Sequence, residues 1–317
     1  MSTMRAVVAD TSREGVLSIE SVPVPQPLPN EALVRVSAIS LNRGEVRMSR
    51  TPRPNWRPGW DLAGIVEKAA ADGTGPQAGQ RVVGLVRSGA WAEQVAVQTN
   101  QISEISSSVT FTQAAALPVA GLTALHALAK GGFLLGRTVL VTGATGGVGE
   151  YALQLGTMAG ARMVAHVRRD EHIPFAKAAG ASGVISGESL LNAKEAGPYA
   201  LILESVGGQT LADALALVEE GTKIISYGTS AGSQVTFDAQ KFYGKGMTSL
   251  YGFFLFDELR TVESAADGLR RLQGFVAEGK LRATIGVEAD WSEIAAIAQQ
   301  LMDRKYQGKA VLHLDNA

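Results

Sequence analysis

Cysteine is absent from all 317 residues, which excludes disulfides, thiolate nucleophiles and every cysteine-ligated zinc site. Histidine is scarce: His126, His166, His172 and His313 are scattered, with no HExxH pattern and no pair at i, i+4. Neither sign of charge prevails. The formal net charge of −1 gives no electrostatic pull on nucleic acid or on an anionic membrane surface. Long apolar runs are missing too. The most apolar stretch, 114–129, is too short to cross a bilayer and is interrupted by Pro118 and Gly121. Residues 1–13 carry no apolar core of a secretory signal. These absences leave as the expectation a cytoplasmic protein that acts on small molecules, with no nucleic-acid or membrane partner.

What is present divides into two textures, and the length suits two domains. Up to about residue 110 the segments are short and β-like, at 5–8, 33–39, 64–68, 81–85 and 92–97, with Pro, Gly and Asn between them. The proline-rich stretch 23–30 reads as an extended connection, because proline lacks a donor and fixes φ. Many short punctuated strands predict a barrel-like β domain. From about Phe111 helical runs alternate with apolar β-rich runs at 138–142, 163–167, 183–185, 200–203, 223–227 and 249–252. That alternation predicts a parallel, doubly wound sheet. Amphipathic helices are expected at 262–277 and 291–302. The last strand, 309–314, has no evident partner in the parallel sheet and is expected to return to the N-terminal domain.

The run Thr138-Val139-Leu140-Val141-Thr142 is followed by Gly143-Ala144-Thr145-Gly146-Gly147-Val148-Gly149 and then a helical pattern. Strand, glycine-rich turn and helix in this order form a dinucleotide-binding fingerprint, relaxed here by Ala144 at its first position. The residue types answer a physical need: a tight turn, backbone without Cβ where a pyrophosphate approaches, and a small residue where helix meets strand. The helix N-terminus then offers free N–H groups to the phosphates. NAD-selective sites place a carboxylate at the tip of the second strand to hold the ribose 2′-OH. Here the tip is Arg168-Arg169, and no carboxylate occurs before Asp170. Two guanidinium groups suit a 2′-phosphate, so NADPH is the expected cofactor.

Further motifs follow in order: Ser40-Leu41-Asn42, Pro58-Gly59-Trp60-Asp61-Leu62-Ala63-Gly64-Ile65-Val66, Gly79-Gln80-Arg81-Val82, Ala116-Leu117-Pro118, Gly121-Leu122-Thr123-Ala124, Glu204-Ser205-Val206-Gly207-Gly208 and Gly308-Lys309-Ala310-Val311-Leu312. With the glycine turn they make the chain resemble a zinc-free member of the medium-chain dehydrogenase/reductase superfamily, close to the quinone oxidoreductases, over nearly its whole length. The zinc-dependent relatives carry a cysteine and a Gly-His-Glu motif where this chain reads Leu41-Asn42-Arg43 and Gly59-Trp60-Asp61. The alcohol dehydrogenase reading therefore fails for want of a Lewis acid to stabilise an alkoxide. The resemblance implies an α/β protein: a doubly wound parallel Rossmann domain (113–255) and a GroES-like β-barrel catalytic domain (1–112) completed by the C-terminal segment (256–317). It also implies an active site in the cleft between them and a homodimer formed through the sixth Rossmann strand near 248–252.

With no metal, thiol or well-set histidine, the cofactor carries the difficult step and the protein supplies position and dryness. Hydride transfer from NADPH to a quinone or an α,β-unsaturated carbonyl fits. The resemblance places Asn42 near the nicotinamide ribose and carboxamide, as a positioning residue, and turns the Thr123 hydroxyl to the nicotinamide. Thr145, Gly146, Gly147 and Val148 are expected at the pyrophosphate, with Arg168 and Arg169 at the 2′-phosphate. Val206, Gly207, Tyr227, Gly228 and Thr229 lie at carboxyl ends of strands, where ligands bind in open sheets. Tyr251, Phe253 and Phe254 are expected to flank the nicotinamide. Trp56, Trp60, Tyr251 and Phe253 are the candidates to meet a planar substrate. Composition alone offers Glu45, Glu93, Glu204 and Lys245 as proton donors. An enoyl-thioester (CoA or acyl-carrier) reductase is the alternative, its basic groove to come from Arg43, Arg47, Arg50, Arg53 and Arg57. A non-catalytic NADPH-binding protein is the second alternative.

Overall fold

The computed structural model describes residues 2–12, 15–53 and 56–314. The chain divides into two compact units, Met1–Leu122 with Leu259–Ala317, and Thr123–Glu258. In the first unit β1 (Thr3–Ala9) and β2 (Leu17–Pro23) form an antiparallel pair. β3 (Glu31–Ser40), β4 (Asp61–Lys68), β5 (Arg81–Leu85), β6 (Gln94–Gln98) and β7 (Ile102–Glu104) then build an antiparallel sheet in which β3 pairs with both β4 and β6.

The second unit contributes β8 (Thr138–Val141), β9 (Arg162–Val167), β10 (Gly183–Ser186), β11 (Leu201–Glu204), β12 (Lys223–Ser226) and β13 (Ser249–Gly252). All pair in parallel, in the order β10-β9-β8-β11-β12-β13. Strands buried on both faces need continuous apolar runs, and Val139–Val141 and Leu201–Leu203 are fully buried. Strand order reverses between β8 and β11, the switch point at which doubly wound folds bind nucleotides. The glycine-rich turn follows β8 and so sits at that point.

The chain then returns to the first unit with β14 (Ile285–Asp290) and β15 (Lys309–His313). β15 pairs antiparallel with β3 and parallel with β14, so the final strand does close the first unit's sheet. β14 escaped the sequence reading: its alternating half-buried and exposed residues include a glycine and two acids. Each unit has its own core. One is built on Val34, Ile39, Leu62, Val97, Trp91 and Leu312, the other on Leu140, Val164, Ile202, Leu215 and Ile224.

Candidate active site

In the second unit the site grows out of the turn after β8. Gly143 adopts φ +60, and a side chain there would strike Ser205 Oγ at 2.4 Å. The helix Gly147–Met158 starts directly after Gly146, whose place as N-cap provides no side chain to occupy the first N–H groups. Gly146 is exposed, while Thr145, Gly147 and Val148 are half-buried. Gly149 is buried where helix meets strand, and a Cβ there would lie 2.5 Å from Gly143 O and 2.7 Å from Ala144 Cα. Turn, open approach and close packing are thus met in that order, which fits a pyrophosphate on a helix N-terminus. At the tip of β9 Arg168 and Arg169 are both exposed, with an ion pair of 3.0 Å from Arg169 Nη2 to Glu171 Oε1.

The loops after β11 and β12 close on one another. Ala231 N–H donates to Val206 O at 2.8 Å and Ser230 N–H to Ser205 O at 3.3 Å. Glu204, at the end of β11, is fully buried, and its carboxylate accepts the N–H groups of Val206 (2.7 Å) and Gly207 (3.1 Å) and the hydroxyl of Thr142 (3.2 Å). Burial lifts its pKa above the ordinary carboxylate range against the pull of those donors. The backbone donors of Val206 and Gly207 are therefore already held by the protein's own carboxylate. Sequence reasoning placed Glu204 in a family motif and named it as an acid on composition, but a carboxylate folding back on the next amides leaves no periodic signature.

Tyr227 follows β12 with its hydroxyl buried, and burial beside Glu204 raises its pKa. Phe253 is buried and meets the Tyr227 ring edge-on at a centroid distance of 6.5 Å. Gly228 and Thr229 are half-buried in the same loop, and Thr123 is buried in the helix Pro118–Ala129. The Tyr251 hydroxyl donates to Glu258 Oε1, and its ring lies 4.9 Å from Lys130 Nζ. Phe254 is exposed and packs on Phe256. Tyr227 and Phe253 are thus brought together.

The first unit contains a buried polar cluster around Asn42. Asn42 Nδ2 donates to Asp61 Oδ2 at 2.8 Å and to Glu45 Oε1 at 2.9 Å, and Oδ1 accepts from Lys309 Nζ at 2.6 Å. Lys309 also donates to Leu41 O at 3.1 Å and lies 3.3 Å from Asp61 Oδ2. Asp61 further accepts Ser40 Oγ–H and Val119 N–H. Local folding sets this up. Asn42 precedes the helix Arg43–Ser49, and Glu45 in its first turn reaches back to the Asn42 N–H at 2.8 Å. Asp61 opens β4 and Lys309 opens β15, the strands on either side of β3. Glu45, Asp61 and Lys309 are all buried. Burial, with the Asp61 charge beside it, pushes the Glu45 carboxyl well above its usual range, against the donors of Asn42 and the charge of Lys309.

A pH-dependent stability follows from Glu45. Its carboxyl keeps a proton when folded at a pH where the unfolded chain has lost it, so stability falls as pH climbs above the ordinary carboxylate value of about 4.3. Glu45→Gln has no such titration. Its stability relative to the native chain is expected to rise with pH, by up to about 1.4 kcal/mol per pH unit until Glu45 itself ionises. Thermal melts at pH 5 and pH 8 check this, and an equal difference at both would contradict it.

The remaining candidates divide plainly. Trp60 donates its indole N–H to Arg87 O at 3.1 Å, and its ring covers Gly44, where a Cβ would meet Cη2 at 2.7 Å. Trp56 bridges by backbone to Ala9, packs on the first unit's core and carries the Arg53 guanidinium 5.6 Å above its ring. Pro54 and Asn55 of that loop lie outside the described residues. Glu93 pairs with Arg5 and Lys245 with Glu219 in partly exposed ion pairs. Zinc does not fit the positions matched to zinc ligands: Leu41 is apolar, Asn42 is fully engaged, and Trp60 presents an indole. Among the described residues no group of three or more His, Asp and Glu is arranged to hold a metal. Nor is any helix among them long and apolar enough to cross a membrane.

Two family models match the chain, the alcohol dehydrogenase GroES-like domain over residues 28–107 and the zinc-binding dehydrogenase over residues 147–270. A 2-methylene-furan-3-one reductase of Solanum lycopersicum is 27% identical over 94% of this chain and 76% of that protein. A chloroplast envelope quinone oxidoreductase homolog of Arabidopsis thaliana is 34% identical over 57% of this chain and 60% of its own length. Among solved structures, a mycobacterial protein complexed with NADPH superimposes with a TM-score of 0.87 at 26% identity, over 98% of this chain and 100% of that one.

Proposed function

Since the chain belongs to the medium-chain dehydrogenase/reductase superfamily, among its quinone oxidoreductase-like members, we propose that it is a zinc-independent, NADPH-dependent reductase of quinones or α,β-unsaturated carbonyls. The observation that carries the cofactor reading is the tip of β9, where two exposed arginines stand and no carboxylate precedes Asp170. When bound, the reduced nicotinamide supplies the hydride. The amides that open the helix Gly147–Met158 hold the pyrophosphate, and Arg168 and Arg169 hold the 2′-phosphate. The ion pair of Arg169 with Glu171 is exposed and yields at little cost. Tyr227, Gly228, Thr229, Phe253 and Thr123 are assigned to the nicotinamide side, and Asn42 positions it. For Trp60 and Trp56 the assignment is to shape the substrate loop, since both rings already pack on the protein's own chain. The Rossmann domain is assigned to 113–255 and the catalytic domain to 1–112 and 256–317.

The enoyl-thioester alternative loses ground in the same loop. Arg43 donates to Leu301 O, Arg50 to Gln299 and Arg53 lies on Trp56, so three of the five arginines needed for a phosphate groove serve their own unit. The double variant Arg168→Ala/Arg169→Ala tests the cofactor reading. Loss of charge-assisted bonds predicts NADPH binding weakened by about ten- to a hundredfold, with NADH little changed. Fluorescence titration measures both, and equal losses would defeat the reading.

A homodimer is part of this proposal. β13 ends the parallel sheet, all four of its residues are exposed, and Leu250 and Tyr251 add apolar surface to an unpaired strand edge. Light scattering on the eluting protein is expected to give twice the chain mass of 33.2 kDa, and a monomer would reject it.

A further inference from the structure

Glu204 is a fully buried carboxyl with no cation beside it among the described residues. A polar group so placed is costly unless donors replace the water around it. Its donors come from two chain segments. Val206 N–H and Gly207 N–H follow β11, the latter lying 3.1 Å from both carboxyl oxygens, while Thr142 Oγ1–H follows β8. The Thr142 hydroxyl has Leu203 O at 3.4 Å as a second acceptor, and its own oxygen accepts Ser205 N–H at 3.0 Å. Ser205 Oγ donates back to Thr142 O at 3.3 Å and lies where a side chain on Gly143 would stand. Gly143 O in turn accepts Gly146 N–H at 3.0 Å and is the atom closest to a Cβ placed on Gly149. An unbroken line of contacts thus runs from Glu204 through Thr142 and Ser205 to Gly143, and from there to the first residues of the helix Gly147–Met158. All of it lies within the second unit.

We propose that Glu204 is a positioning residue for the pyrophosphate: through Thr142 and Ser205 it fixes Gly143, and through Gly143 the amides that open the helix Gly147–Met158. This rests on the NADPH reading above. Glu204 meets no phosphate itself, being buried and occupied by the chain's own donors. Its contribution is preorganisation, since amides already held in place need not be ordered when the ligand arrives. A glutamine at this position cannot replace it. One oxygen would still accept, but an N–H would stand where the second carboxyl oxygen now faces the Gly207 N–H.

Three variants of the full chain, Glu204→Gln, Thr142→Val and Thr142→Ser, test it through the affinities of NADPH and of 2′-AMP, which has the 2′-phosphate but no pyrophosphate. Fluorescence reads the first and competition the second. Loss of one or two aligned hydrogen bonds predicts NADPH weakened by about three- to tenfold in Glu204→Gln and Thr142→Val, with 2′-AMP unchanged. Thr142→Ser keeps the hydroxyl, so its NADPH affinity is expected to stay near the native value. A carboxyl that only holds the fold together would lower the melting temperature and leave the ratio of the two affinities native in every variant, which would overturn the proposal. Should Glu204→Gln not fold, the contrast between Thr142→Val and Thr142→Ser decides alone. If the native chain binds neither compound, the NADPH reading itself falls; if it binds both and the ratio stays fixed, only the role of Glu204 falls.

Discussion

Asp61→Ala is expected to lower the unfolding free energy by about 3–5 kcal/mol, because it leaves a buried ammonium without its counter-charge. Lys309 is 3% exposed and lies 3.3 Å from the Asp61 carboxylate. The same substitution removes the acceptor of Ser40 Oγ–H, Val119 N–H and one Asn42 Nδ2 hydrogen. Each stranded donor adds its own desolvation cost, so the upper part of that range is expected. A loss of this size is a large share of the stability of any domain. Urea titration checks it. Adding Lys309→Met should recover part of the loss, since charge is then removed together with its partner, and a coupling of about 0.5–3 kcal/mol is expected. A single variant within about 1 kcal/mol of the native chain would show that the pair is not the keystone of β3, β4 and β15.

The second large effect is at the glycine turn. Gly149→Val places a Cβ 2.5 Å from Gly143 O and 2.7 Å from Ala144 Cα, both backbone atoms that no side-chain rotation can clear. Helix Gly147–Met158 must then move off the turn, at a cost of about 1–3 kcal/mol or more in stability. The N–H groups that open the helix move with it, so NADPH affinity is expected to fall by at least about tenfold. Equilibrium binding by fluorescence is the measurement. An unchanged dissociation constant would place the phosphates elsewhere.

Much of the second unit was legible because its signals are local. A buried parallel strand is a continuous apolar run, and β8, β9, β11 and β12 announce themselves in that way. The turn is legible for the same reason, since three consecutive structural demands fall within seven residues, Gly143 to Gly149. Missed elements carry mixed signals. The helix Arg43–Ser49 contains a glycine and two arginines, and β14 alternates too weakly to stand out. The helix expected at 262–277 begins at Ala265, where Ser264 accepts the Asp267 N–H. The polar cluster was out of reach for a different reason. Lys309 and Asp61 are 248 positions apart, and nothing periodic links a lysine at the start of the last strand to an aspartate at the start of β4. A lysine inside an apolar strand pattern was the available clue, since a buried ammonium requires a partner.

Legibility also stops at the substrate. Aromatic residues on one loop made Trp56 and Trp60 the candidates for a planar acceptor, and composition alone cannot say that Gly44 and Arg87 already hold the Trp60 ring. The same applies to Val206 and Gly207, whose N–H groups look open in a sequence and are closed by Glu204 in the fold.

The most direct test of the reductase reading is NADPH oxidation measured with three acceptors, a 1,4-naphthoquinone, a simple enone and crotonyl-CoA. Turnover of the quinone or the enone, with crotonyl-CoA the poorest of the three, is the predicted result. Preference for crotonyl-CoA, or tight NADPH binding with no turnover of any acceptor, would contradict it.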